Sequence, residues 1–154
     1  MSYESAEHDR RLSTMMQAGT VEAVDHANAR CRVRVGEWVS AWMPWASLGA
    51  GEVRNWRPPS VGEQALLLCP SGESAAGFVL PGFYTAQHQQ GNDNRANITA
   101  QNWPDGAREE YDHEASQYLL DIPASGKIVI RCGPSSLELS AAGVKITAPR
   151  IDLN

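Results

Sequence analysis

The sequence predicts an all-β fold, and three observations carry that reading. Between residues 20 and 84, apolar runs alternate with turn-forming residues at short intervals, the spacing of strands rather than helices. At the C-terminus, four-residue segments that alternate apolar with polar return at a near-constant beat. The composition agrees: 13 Gly and 9 Pro in 154 residues, with 42% hydrophobic and 20% charged, describe a globular, turn-rich chain.

Residues 1–18 form an N-terminal arm in which Leu12, Met15 and Met16 fall at helical spacing among charges. A short amphipathic helix fits, with an apolar face too small to hold it folded alone. Strands follow. "TVEAV" (20–24) and "RCRVRV" (30–35) flank the turn "DHANA", and alternation sets Cys31, Val33 and Val35 on one face with Arg30, Arg32 and Arg34 on the other. Gly36 and Glu37 then precede "WVSAWMPW" (38–45), a third strand. A loop rich in Gly and Pro (46–60) leads to "VGEQALLLCP", in which Leu66, Leu67 and Leu68 in succession predict a strand buried on both faces. A tight turn, "SGES", joins it to "GFVLPGFY". These five strands predict a small closed or partly closed barrel of the OB type over 19–84, since closure removes the free edges of so small a sheet.

Residues 85–106 are dominated by Gln, Asn, Asp and Gly and predict a polar linker. "AREEYDHEASQYLLDI" then suits a polar hairpin, opening a last segment, 107–154. Within it "IVIR" (128–131), "LELS" (137–140), "VKIT" (144–147) and "IDLN" (151–154) align. One face carries Ile128, Ile130, Leu137, Leu139, Val144, Ile146, Ile151 and Leu153 without a polar residue. Stacked as successive rungs, the other face forms two columns, Val129, Glu138, Lys145, Asp152 and Arg131, Ser140, Thr147, Asn154. Such cross-strand charge pairs contribute roughly 0.2–1 kcal/mol each and fix register. Burying an aliphatic side chain contributes about 1.5–3 kcal/mol, so the apolar face dominates. Four strands of about 13 Å cannot cover it themselves. Either the segment is an antiparallel meander packed on the barrel, or three chains wrap their apolar faces around a common axis.

The net charge of −5 disfavours a protein whose main task is to wrap nucleic acid. Cys31, Cys69 and Cys132 lack metal-ligand spacing and lie in apolar runs, predicting buried thiols in a protein made in a reducing cytoplasm. No signal-peptide stretch and no run of about 20 apolar residues is present.

The order of "GTVEAVD", "VGEQALLLCPSGE", "GFVLPGFY" and "GKIVIRCGPSSLELSAAGVKITAPRIDLN" resembles the baseplate assembly protein V family, the central spikes of contractile phage tails, pyocins and related secretion needles. The resemblance covers nearly the whole chain and rests on motif order. It implies a homotrimer with the barrels on the tail hub and the C-terminal segments intertwined as a β-helical needle, its core the eight apolar residues above. It implies mechanical puncture of a target bacterium's outer membrane, with no active site and no cofactor, in a virion or tail-particle baseplate. The His-x-His apex that binds iron in many such spikes has no counterpart: the histidines are His8, His26, His88 and His113. No metal is expected, and a separate tip protein is the expected partner of the C-terminal end. The arm and the basic strand face are the expected hub-facing side.

Two rival readings remain. An OB-fold single-stranded nucleic-acid-binding protein would stack bases on Trp38, Trp42, Trp45 and Trp56 beside the three arginines, although Trp38 and Trp42 do not share even spacing with Trp45. An enzyme would use the acidic cluster Glu109, Glu110, Asp112, His113 and Glu114; a solvated hairpin face explains that cluster more simply.

Overall fold

The computed structural model describes residues 3–85 and 94–152. His88, Leu153 and Asn154 lie outside them. The chain divides into two compact units, Met1–Gly91 and Asn92–Asn154.

The first unit opens with helix α1 (Tyr3–Met15). Strands β1 (Met16–Asp25), β2 (Arg30–Val35), β3 (Trp38–Val39), β4 (Met43–Pro44), β5 (Gln64–Leu68) and β6 (Phe78–Pro81) follow. Their order is β3-β2-β1-β5-β6, with β4 also on β2. The long strand β1 serves two partners: Met16 to Thr20 pair with β5, and Thr20 to Asp25 pair with β2 across a register shift between Val21 and Ala23. That bend lets the sheet curl. Gly19, in the stretch paired with β5, is there for want of space, because a Cβ would collide with the Arg34 carbonyl oxygen. A parallel bridge between Trp45 and Val79, with the Ala46 N–H donating to the Val79 carbonyl at 2.7 Å, joins the two ends of the sheet into an OB-like barrel. Val21, Cys31, Val33, Met43, Ala65, Leu67, Cys69 and Val79 fill it.

Four local expectations need correction. Met16, placed on the helix by spacing, begins β1 instead, because its ladder with Leu68 outcompetes one more helical residue. "WVSAWMPW" is two short strands, not one. Ser40 between them is fully buried; its Oγ accepts from the Val33 N–H at 2.9 Å and donates to the Ala41 carbonyl at 2.8 Å, which diverts the backbone. "SGES" is not a tight turn but part of two 3-10 turns, Pro70–Gly72 and Ser74–Ala76, entered through Ser71 at φ 56°. The α1 helix packs on the first of these turns, and the Cys69 N–H donates to the Met15 carbonyl at 2.8 Å. Finally, Leu66 and Leu68 are only half-buried, while Leu67 is fully buried.

The second unit holds two antiparallel three-stranded sheets. The first comprises β7 (Ile98–Asn102), β8 (Arg108–Asp112) and β9 (Gln117–Asp121). The polar stretch 85–106 is therefore not linker throughout: residues 98–102 pair with 108–112, since a backbone ladder needs no apolar side chains. The second sheet comprises β10 (Lys127–Cys132), β11 (Ser135–Ser140) and β12 (Gly143–Thr147). Two-residue loops join them. Gly133, at φ 54°, opens one, and Gly143, at φ 124°, follows the other.

This antiparallel pairing retains the first predicted column only in part. Val129, Glu138 and Lys145 align across the sheet, but Arg131 faces Ser136 and Ser140 faces Gly143, so the second column does not form. Antiparallel hairpins reverse each successive segment, which brings opposite ends of the repeats together. The fourth repeat also departs from expectation, as Ile151 and Asp152 belong to no strand. Among the described residues of this unit, Ala107 is the only buried apolar one.

Candidate interaction surfaces

The β10–β12 sheet brings most of the predicted apolar row together. Register sets Ile128 beside Leu139 and Leu139 beside Val144; Ile130 lies beside Leu137 and Leu137 beside Ile146. Within the chain this face is open: Val144 is 67%, Ile130 60% and Ile146 56% exposed, with Leu139 exposed and Ile128 and Leu137 half-buried. Ile151 is exposed beyond the sheet, and Leu153 is not described. The opposite face is polar apart from Val129. Lys127 Nζ lies 3.5 Å from the Glu138 carboxylate across the β10–β11 pair, and Glu138 stands opposite Lys145.

The basic face of β2 is occupied by internal partners. Arg34 makes a two-pronged contact to Glu22 at 2.8 and 2.7 Å, which also holds the Glu22 carboxyl below its usual range. Arg32 Nε donates to the Ser40 carbonyl at 2.9 Å while its guanidinium lies 5.6 Å from the centre of the Trp42 ring, and Arg30 donates to the Trp42 carbonyl at 3.1 Å. The tryptophans disperse. Trp45 and Trp56 pair with each other at 5.5 Å, whereas Trp38 borders a groove beside α1 with Arg10, Thr14 and Cys69. A base-stacking row beside free cations is thus not assembled.

The acidic cluster is not the uniformly solvated face expected of it. Glu110 is 8% exposed and receives Arg108 Nη2 at 2.5 Å and Arg95 Nη2 at 2.9 Å. These hydrogen bonds, Arg108 first, hold its carboxyl below the ordinary range. Asp112 accepts the N–H groups of Ala115 and Glu114 and the Asn97 side chain, which lowers its pKa likewise. Both carboxylates thereby shape the hairpin. The one signal for this in the sequence was the alternation of Arg108 and Glu110, two apart and so on one strand face. Glu109 instead accepts from the Tyr118 hydroxyl across the pair. Among the described residues no three His, Cys, Asp or Glu side chains gather closely enough to hold a metal ion.

Cys31 and Cys69 are buried, and burial pushes the Cys31 thiol up to about 11. Cys132 is exposed, against the expectation of a buried thiol, because it ends β10 on the uncovered face.

Residues 17–84 match the model of the Type VI secretion system/phage-baseplate injector OB domain. The chain is also 38% identical, over 125 residues, to the spike protein of Escherichia phage P2, a match covering 77% of this chain and 59% of that protein. By these matches the chain is similar to the baseplate assembly protein V family. The matched residues coincide with β1 through β6, so the family resemblance and the barrel describe the same part of the molecule. The chain spans about three fifths of the P2 spike's length.

Proposed function

We propose that this chain is a baseplate V protein, a structural subunit of the central spike of a contractile tail and part of the virion baseplate. Three copies turn the apolar faces of β10–β12 toward a common axis, each meander forming one side of a narrow prism, while the barrels sit on the tail hub. Sheath contraction drives the needle through the target's outer membrane, and the work is mechanical. Strands paired throughout resist such loading because many hydrogen bonds must shear together.

The observation that carries this reading is the second unit's lack of a core of its own. It spans Asn92–Asn154, yet Ala107 is its only buried apolar residue among those described, while Ile130, Val144 and Ile146 stand open on one face. Domains of this size hold together by burial, so the missing burial comes from other copies. Similarity to a phage spike protein supports the same conclusion.

Light scattering coupled to size exclusion tests it. The chain mass is 16.8 kDa, and three copies give about 50 kDa (3 × 16.8). A species of one chain mass at micromolar concentration overturns the proposal.

A further inference from the structure

Two adjacent carboxylates on β8 have opposite surroundings. Glu110 is enclosed by Arg108 and Arg95. Glu109 lies on the other face of the β7–β9 sheet, where it pairs with no Lys or Arg among the described residues. Aromatic rings stand there instead. Register sets Thr99, Tyr111 and Tyr118 in one row, with Gln101 and Glu109 in the next. The Tyr111 and Tyr118 ring centres lie 6.5 Å apart with their planes at 41°, and both rings are exposed. The Tyr118 hydroxyl donates to Glu109 Oε1, which ties the ring to the carboxylate and raises the phenol's pKa. With Ala100 and the side chains of Thr99 and Gln101, these three residues line a concavity of about 280 Å³.

We infer that this concavity binds a small organic cation, a quaternary ammonium group of the choline type. The sign of the charge selects it. Glu109 is the one charged residue of the lining, so an anion is repelled, and a neutral ligand would strip water from the carboxylate and return nothing. The rings select the kind of cation. A cation within about 6 Å of a ring centroid is attracted by the face of the ring, and at the separation seen here one ion can meet that condition for both tyrosines. Methyl groups on the nitrogen lie against such faces, whereas a bare metal ion would have to give up its water. A cavity this size, below the usual range for drug-sized ligands, suits one head group. Two exposed rings and one carboxylate give a dissociation constant on the order of millimolar.

Fluorine NMR of the full chain, carrying 3-fluorotyrosine at its four tyrosines, tests this. Choline is expected to shift the Tyr111 and Tyr118 resonances saturably and leave Tyr84, exposed in the barrel, in place. Its neutral isostere 3,3-dimethylbutan-1-ol is expected to shift neither. Glu109→Gln removes the charge and Tyr111→Leu removes a ring, and each is expected to weaken choline by about tenfold; circular dichroism verifies that both variants fold. Phosphocholine, whose phosphate would approach Glu109, is expected to bind about tenfold more weakly than choline. Equal affinity would overturn the choice of a free solute over a phospholipid head group. Shifts that are absent, that rise linearly without saturating, that the isostere reproduces, or that survive both substitutions overturn the site and leave the spike reading standing.

Discussion

Replacing Ile146 on β12 tests the proposed needle axis most directly. Ile146 stands opposite Leu137 and keeps 56% of its surface exposed in the single chain. Full burial of such a side chain contributes about 1.5–3 kcal/mol, so covering the remaining half contributes about 0.8–1.7 kcal/mol per chain. With three equivalent copies around the axis this becomes about 2.5–5 kcal/mol per trimer. At about 1.4 kcal/mol per tenfold, Ile146→Ala weakens assembly by roughly two to three and a half powers of ten. Ile146→Asp weakens it further, because three carboxylates would lose their water without gaining partners. Sedimentation over a dilution series reads the dissociation. Lys145→Ala is the control: Lys145 lies on the other face of the same strand, opposite Glu138, where the pair contributes at most about 0.2–1 kcal/mol. Should Ile146→Asp stay as fully trimeric on dilution as Lys145→Ala, the apolar face is not the interface and the reasoning fails.

Thiol labelling gives a second view of the same face. Cys132 follows Ile128 and Ile130 by alternation, so it is expected to be shielded in the trimer and labelled quickly in Ile146→Asp, while Cys31 resists in both; peptide mass spectrometry reads each site. In the barrel, Leu67→Ala removes a fully buried side chain and is expected to cost about 2–5 kcal/mol, read as a lower denaturant midpoint with an unchanged slope. Gly19→Ala, with a Cβ forced against the Arg34 carbonyl, is expected to cost at least about 1–3 kcal/mol, and a measured change below about 0.5 kcal/mol would contradict the close approach. For pH, the folded Glu110 pKa lies below its unfolded value. Its stabilisation is therefore complete above the unfolded carboxylate value of about 4.3 and is lost as pH falls through the lower folded one. The melting-temperature gap between wild type and Glu110→Gln should be widest near neutrality and narrow progressively as the pH falls below about 4.3 toward the lower folded value; a constant gap would show that the charge is not what matters.

Much of the barrel was legible because its signals are local and alternate with period two. "RCRVRV" places Cys31 and Val33 in the core and its arginines outside, as it reads. Features set by contacts distant in sequence were not legible. Nothing in "WVSAWMPW" announces that Ser40 will be buried and bonded to Val33, seven residues earlier. Nor does "REEYD" announce that one carboxylate of three will be enclosed by arginines, one of which, Arg95, lies in the polar stretch that composition assigns to a linker. The apolar face of β10–β12 was legible residue by residue, because alternation fixes a face whichever way the strands run. Strand direction was not, and direction decides which polar residues become neighbours; hence the lost column of Arg131, Ser140 and Thr147.

The two units should also respond differently to protein concentration. The first has its own core of eight buried residues, so its unfolding is unimolecular and its midpoint is fixed. The second orders its β7–β9 sheet through ion pairs around Glu110 and leaves β10–β12 without an internal apolar partner. If other copies supply that partner, unfolding of this unit releases three chains from one trimer. Its stability then changes by about 2.7 kcal/mol of trimer for each tenfold change in chain concentration, twice the usual tenfold increment. Hydrogen exchange in denaturant, read segment by segment after equilibration, separates the two. Amides in 127–147 should gain protection as the chain is concentrated, while those of β1, β2 and β5 hold steady. Protection of 127–147 that is independent of concentration would mean that the sheet is stable on its own, and that its open apolar face has some other use than closing a prism.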